Sequence, residues 1–282
     1  MPESTLTARQ TNACALLDAE EYETLVGAAN EYLAAQGALM SLMSTLGSTI
    51  EKGFEALPGG FRNEVMLKVR EALEYAQQVA MSRMDKDAGR EASKRWYGAL
   101  AAVSGGVSGF FGLPAVLVEL PLTTVTILRS IADVARSKGA DLEDVGVQAT
   151  CLEAFAYGGP LDDDDDADLA FFAARVGGVA LAGRIGAGQL ADVISTVAVR
   201  YAAAVVPKVA LQAVPVTGAV LGAGLNWSYM QFYQSMASVL FTLRPIEAKY
   251  DRDQVRSCFA SIVRDLKQGK AAGRMPKTLP NL

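Results

Sequence analysis

Of the side chains that carry most enzyme chemistry, this 282-residue chain lacks one outright: it has no histidine. That absence removes Ser-His-Asp and Cys-His nucleophile activation and the HExxH metal site. It also removes the group that most easily shuttles protons near neutral pH. Acids, lysines and tyrosines remain, and among the acids Glu119 stands out, because residues 96–118 before it carry no charge at all. A carboxylate taken out of water is costly unless it is paired or protonated. Arg129 lies ten residues on and Asp133 four beyond that. If a helix runs unbroken from Leu122, Arg129 and Asp133 share a face and pair. Glu119, before Pro121, then stands near the helix start, where the dipole favours an anion. Two readings follow: a capping carboxylate beside an i,i+4 ion pair, or the polar end of an apolar cavity that holds a ligand headgroup. Acid-based hydrolysis would need Glu119 and Asp133 in one open cleft.

The other chemical motifs are weak. Asp162 to Asp166 form an acidic run without the alternating spacing or the glycine of a calcium loop. It reads as the solvated start of a helix. "GRIGAG", 183–188, has no Lys-Ser/Thr after it and no strand before it, so it is not a phosphate loop. Cys14, Cys151 and Cys258 are far apart and odd in number, which suggests neither a disulfide framework nor a zinc ribbon. Cys151 reads as an inert core thiol. No catalytic residue, metal site or cofactor is expected.

These groups must be positioned by helices. "DAEEYETLVGAANEYLAAQGALMSLMSTLG" from Asp18 spaces Tyr22, Leu25, Val26, Ala29, Tyr32 and Leu33 by threes and fours. Asp18 serves as its N-cap. "ALPGGF", 56–61, is a break, and Val65, Val69, Ala72, Leu73 and Ala76 then form the stripe of a second helix. Further helices are expected over 122–139, ending on a Gly139 cap, from Asp141, after the Asp run, through 190–215 and 216–247, and over 252–267. No strand alternation of useful length appears. The reading is all-α: a compact multi-helix single domain over 18–268 with a Gly-rich apolar central hairpin, flanked by flexible tails 1–17 and 269–282.

Composition narrows the setting. Apolar types make up 51% and the net charge is −5 without a basic tract, so a nucleic-acid partner is not expected. The N-terminus lacks an apolar signal core, and with the separated cysteines this points to a reducing, cytoplasmic compartment. Segments 96–118 and 209–243 each reach the roughly 20 residues that cross a bilayer. Both are interrupted, the first by five glycines and Pro114, the second by three glycines and Pro215 with Gln212, Asn226, Gln231 and Gln234. Broken backbone in hydrocarbon must find partners, so three readings stand: buried core helices, conditional membrane contact, or permanent spans. The pairs Gly105/Gly109 and Gly218/Gly222 suit close helix approach. Trp227, Tyr229, Phe232 and Tyr233 suit either an interfacial belt or a core.

"GGVSGFFGLPAVLVELPLTTVTILRSIADVARSKGADLED", 105–144, resembles the signature region of the EcsC family. The matching features are the Gly-rich stretch, Phe111-Gly112-Leu113-Pro114, Glu119-Leu120-Pro121, Arg129, and Gly139 with Asp141-Leu142. "DLAFFAARVG", with Arg175, and "VPVTGAVLGAGLN", 214–226, resemble two further blocks, and the resemblance spans about residues 20–250. The resemblance implies a bacterial protein tied to envelope and transport processes, with no agreed biochemical activity.

Together these expectations describe a non-enzymatic helical protein. It would be cytoplasmic and peripheral on the inner membrane, contacting membrane lipid or an apolar small molecule. Phe110, Phe111, Glu119, Arg129 and Asn226 are its candidate ligand-binding residues. The alternatives are an interaction subunit docking on a transport-system protein through an apolar surface, or a hydrolase using acidic residues.

Overall fold

The computed structural model describes residues 14–56, 60–80, 84, 90–111, 113–157, 187–212 and 217–271. Within them the chain forms eight α-helices and no strand. They are α1 (Ala19–Ala56), α2 (Phe61–Val79), α3 (Lys94–Phe111), α4 (Leu113–Ser137), α5 (Val145–Glu153), α6 (Ala187–Gln212), α7 (Thr217–Lys249) and α8 (Arg252–Ala271), with a 3-10 turn at Ala154–Ala156 after α5. The all-α, single-domain expectation holds.

Local signals set several boundaries. α1 opens on a reciprocal capping box: Glu21 N donates to Asp18 Oδ1 and Asp18 N donates to Glu21 Oε2. Gly60 and Gly139 each have φ +83°, a left-handed geometry that glycine adopts without steric cost. At Gly139 the chain leaves α4 through backbone bonds back to Arg136 and Ala135. The cap of α5 is Asp144, whose carboxylate accepts from Val147 N, rather than the expected Asp141. Asp141 instead closes the preceding turn onto Glu143 N. Both are Asx geometries, and their sequence signals are the same.

The expected stripe of α2, from Val65 to Ala76, is buried. The centre of the core is aromatic. Phe155 lies 4.6 Å from Tyr201 and 5.2 Å from Tyr233, ring centre to ring centre, and Tyr201 lies 5.9 Å from Tyr233. Tyr229, Phe232 and Tyr233 are all buried, so of the four aromatics between 227 and 233 only Trp227 reaches the surface. Among the described residues one helical stretch, Val193–Ala210 in α6, is long and apolar enough to cross a membrane, and 71% of it is buried inside the protein, as in a core helix.

Two expectations are overturned. Cys14 and Cys258 are joined in a disulfide across 244 residues, so the cysteines are not all unpaired. Their separation in sequence said nothing of their separation in space, and the compartment reading loses that support. The bond also fixes residues 14–17, part of the expected N-terminal tail. Cys151 is the free cysteine, and burial pushes its thiol far up, as an inert core thiol requires. Secondly, α4 does not begin at Leu122. It runs from Leu113 through Pro121, so Glu119 sits inside the helix and not at its start. The Asp run, the "GRIGAG" motif up to 186, Arg175, and the residues after 271 lie outside the described set.

Candidate functional site

α3 and α4 form an antiparallel hairpin that packs against α7. Along α3 the small residues Gly98, Ala101, Gly105, Ser108 and Gly109 recur at helical spacing and are buried. The large residues Trp96, Leu100, Val103, Val107 and Phe110 recur between them on the opposite face, and all are exposed. The helix is inside-out: its small side chains face protein and its large ones face solvent. A helix of ordinary amphipathic design has the reverse arrangement.

The reason lies in α7. A Cβ on Gly105 would sit inside contact distance of Gly222 O and the Asn226 side chain, and one on Gly98 would come 2.7 Å from the Trp227 ring. At Gly105 glycine lets the two backbones close, and at Gly98 it makes room for the Trp227 ring. The exposed face continues onto α4 at Val118 and Leu122 and onto α7 at Val220, with Val118 80% and Val220 78% exposed. At its tip an open groove of about 530 Å³ is lined by Gly106, Val107, Phe110, Phe111, Ala219, Val220 and Ala223, with no charged side chain. Of the two long apolar segments, then, the α7 part beyond Trp227 is mostly core, whereas the 96–118 part turns its large side chains to solvent.

Below this face the hairpin meets the body through a buried polar cluster; a second contact lies nearer the base, where Gln234 Nε2 of α7 donates to Lys94 O and Ser130 Oγ. Glu119, 8% exposed, accepts through Oε1 from Ser104 Oγ at 2.5 Å, from Thr123 Oγ1 one turn along α4, and from Asn226 Nδ2 at 3.1 Å. Asn226 Nδ2 also donates to Ala101 O at 2.9 Å. Lys208 of α6, 4% exposed, places Nζ 3.6 Å from Glu119 Oε2. Four helices therefore meet at one carboxylate. The cluster is incomplete, because Glu119 Oε2 and Asn226 Oδ1 are buried without a hydrogen-bond donor. Each such orphan costs about 1–3 kcal/mol. Nearby, Thr124 Oγ1 and Tyr201 OH lie 3.3 Å apart, and burial pushes the Tyr201 phenol well above its ordinary range.

The five candidate residues fall in three places. Glu119 and Asn226 are in direct contact. Phe110 and Phe111 lie at the exposed tip, packed edge to face at 5.3 Å. Arg129 faces elsewhere. Its Nε donates to Ala80 O at 3.1 Å and its Nη2 to Val79 O at 3.4 Å, which fastens the end of α2 to α4. Arg129 lines a separate polar pocket of about 230 Å³ with Met84, Arg90, Ser93, Tyr97, Asp133 and Arg136. There Asp133 accepts from Ser93 N at 2.6 Å and from Arg136 Nη2 at 2.8 Å. Glu119 and Asp133 thus line different places, about 21 Å apart along the helix axis, so the cleft that an acid-pair hydrolase would need is not formed.

Lys208 was missed, although its signal was present. In "AAAVVPKVALQAV" it is the one charge of an apolar stretch, which marks a cation with a buried partner. Glu153 in "TCLEAFAY" is the same kind of signal. It lies 2% exposed within a second buried cluster. Arg256 donates to it at 2.6 Å and to Glu247 at 2.7 Å, Arg252 donates to it at 3.2 Å, and the Tyr157 hydroxyl donates to it at 2.8 Å.

The chain is by its geometry a helical protein with an apolar hairpin held on one buried ion pair. The model of the EcsC protein family matches residues 23–246, and the chain belongs to that family. It matches no curated protein and no solved structure.

Proposed function

We propose that this is a non-enzymatic protein that docks reversibly on the cytoplasmic face of a bacterial inner membrane through the outer face of the α3–α4 hairpin. The observation that carries this reading is the inside-out α3. A helix that buries glycines and exposes Trp96, Leu100, Val103, Val107, Phe110 and Phe111 leaves its apolar area for a second medium. Each large side chain fully withdrawn from water is worth about 1.5–3 kcal/mol, so a few of them suffice for reversible binding. The groove lined by Phe110, Phe111 and Val220 has almost no polar lining and accepts a hydrocarbon chain without stranding a polar group. A peptide there would lose backbone hydrogen bonds. Trp96 stands at the base of the stripe beside Lys94 and Arg95, an arrangement suited to the lipid headgroup region.

The test is flotation with vesicles of phosphatidylethanolamine and phosphatidylglycerol. The wild-type chain is expected to float, and Phe110→Ser/Phe111→Ser is expected to lose most of that binding while keeping its helical content. Wild-type protein that stays at the bottom at all lipid concentrations overturns the reading. It then leaves the apolar face to a transport-system protein, the second occupant that this surface fits.

A further inference from the structure

We propose that Glu119, Lys208 and Asn226 form a latch whose release lets the tip of the α3–α4 hairpin part from α7, and that this parting accompanies lipid engagement. The second clause rests on the docking reading above; the first does not.

Three observations converge on the latch. The contact it closes is weak in apolar terms, because the face α3 turns to the body is Gly98, Ala101, Gly105, Ser108 and Gly109. Burial of so little side-chain area contributes little to holding the helix down. Parting also leaves α3 apolar all round from Trp96 to Phe111, with Ser104 and Ser108 as its polar side chains other than the Tyr97 hydroxyl. Such a helix is suited to hydrocarbon or to shallow insertion at the interface.

The polar contact is itself under-satisfied. Glu119 Oε2 and Asn226 Oδ1 have no donor, and the ammonium of Lys208 stands 3.6 Å away, beyond hydrogen-bond distance. Two charges held out of water without full pairing regain hydration when they separate. The closed state is therefore poised close to its open alternative.

The backbone supplies a hinge. Pro121 lies inside α4, two residues after Glu119, and removes the hydrogen bond its N–H would have made to the preceding turn. Beyond it the α4 side chains from Ile127 to Arg136 lie mostly in the core. Before it Val118 is exposed. Leu117 and Leu120 still pack on the core there, and Glu119 is the polar grip between them, through Asn226 of α7 and Lys208 of α6.

The latch is tested without lipid by thiol labelling of Ala101→Cys, a position 2% exposed on the buried face of α3. The native cysteines do not interfere, since Cys151 is buried and the other two are bonded. In this background Lys208→Met leaves Glu119 buried and unpaired, and labelling is expected to accelerate at least tenfold. Glu119→Gln/Lys208→Met removes both charges and puts an amide nitrogen in place of the carboxylate oxygen that lacks a donor. Its labelling is expected to fall below that of the parent. Equal rates in all three proteins overturn the latch. If Lys208→Met does not fold, the double variant against its parent decides the matter, with equal or faster labelling counting against the proposal.

The lipid clause is tested by stapling. A Cβ at position 106 would lie 3.6 Å from Ala223 Cβ, within disulfide range, so Gly106→Cys/Ala223→Cys fixes α3 to α7. The oxidised staple is expected to bind the same vesicles at least tenfold more weakly than its own reduced form, while oxidised and reduced wild type are expected to bind alike. A staple that binds equally in its two redox states overturns the parting in lipid. If wild type itself does not float, the docking reading fails and the labelling rates alone judge the latch.

Discussion

Two of the buried ionic clusters among the described residues, those around Glu153 and Glu119, are built to opposite specifications. Around Glu153 two arginines meet two carboxylates and a tyrosine, and both Glu153 oxygens have donors. It fastens the end of α5 to α7 and α8. Around Glu119 one carboxylate meets one distant ammonium, two hydroxyls and an amide, and two acceptors are left without donors. It fastens the hairpin. Planar arginine gives the first cluster several directed bonds per side chain, whereas lysine gives the second a single point charge. The network whose central carboxylate is fully paired specifies one geometry, and the one whose carboxylate is half paired leaves room for another.

The strongest way to break this contrast is Arg256→Met, which strips Glu153 and Glu247 of their main donor at once. We expect a loss of about 3–5 kcal/mol in chemical denaturation. Acid attacks the same cluster. Burial pushes the Glu153 carboxyl up, but the charges of Arg256 and Arg252, with hydrogen bonds from Arg256 and Tyr157, outweigh it and hold the group below its usual range. A lowered folded value means that this stabilisation is complete above the ordinary carboxylate range, about pH 4.3 for a free glutamate. It is lost as pH falls through the folded value. Denaturation midpoints should therefore hold between pH 7 and 5 and drop below that, and in Arg256→Met the acid loss should be smaller.

Gly105→Ala comes next. Its methyl meets the Gly222 carbonyl and Asn226, and overpacking of that kind costs about 1–3 kcal/mol, measured as a lower denaturation midpoint. Lys208→Met should cost less than Arg256→Met, about 1–2 kcal/mol, because the hairpin can part and hydrate Glu119. The double variant with Glu119→Gln should recover most of that loss. A cost equal to that of Arg256→Met would erase the contrast between the clusters. The smallest effect belongs to the outer face, where Phe110→Ser/Phe111→Ser should shift stability by no more than about 0.5 kcal/mol.

The sequence carried the helices well wherever a helix packs in the ordinary way. The α2 stripe and the Gly139 cap are both visible in spacing and residue type, because local chemistry alone sets them. The inside-out α3 was hidden behind the same statistic that flagged it. A charge-free segment reads as buried, and only a count of large against small residues by helix face separates Gly98, Ala101, Gly105 and Ser108 from Trp96, Leu100, Val103 and Val107. Glu119 was legible as an anomaly, but its cation lies 89 residues away on another helix. Long-range pairing of that kind, like the Cys14–Cys258 bond, is a property of the packed fold and leaves no local periodicity. Pro121 misled for a related reason: helix N-termini favour proline, and here packing carries the helix through it.

That Cys14–Cys258 bond makes the polypeptide between them a closed covalent ring. A single proteolytic cut anywhere inside it leaves one covalent molecule on a non-reducing gel, and two pieces appear only when a reductant is added. Cleavage mapping of the hairpin therefore has to be read on reduced samples, and the difference between the two lanes is itself an assay for the bond.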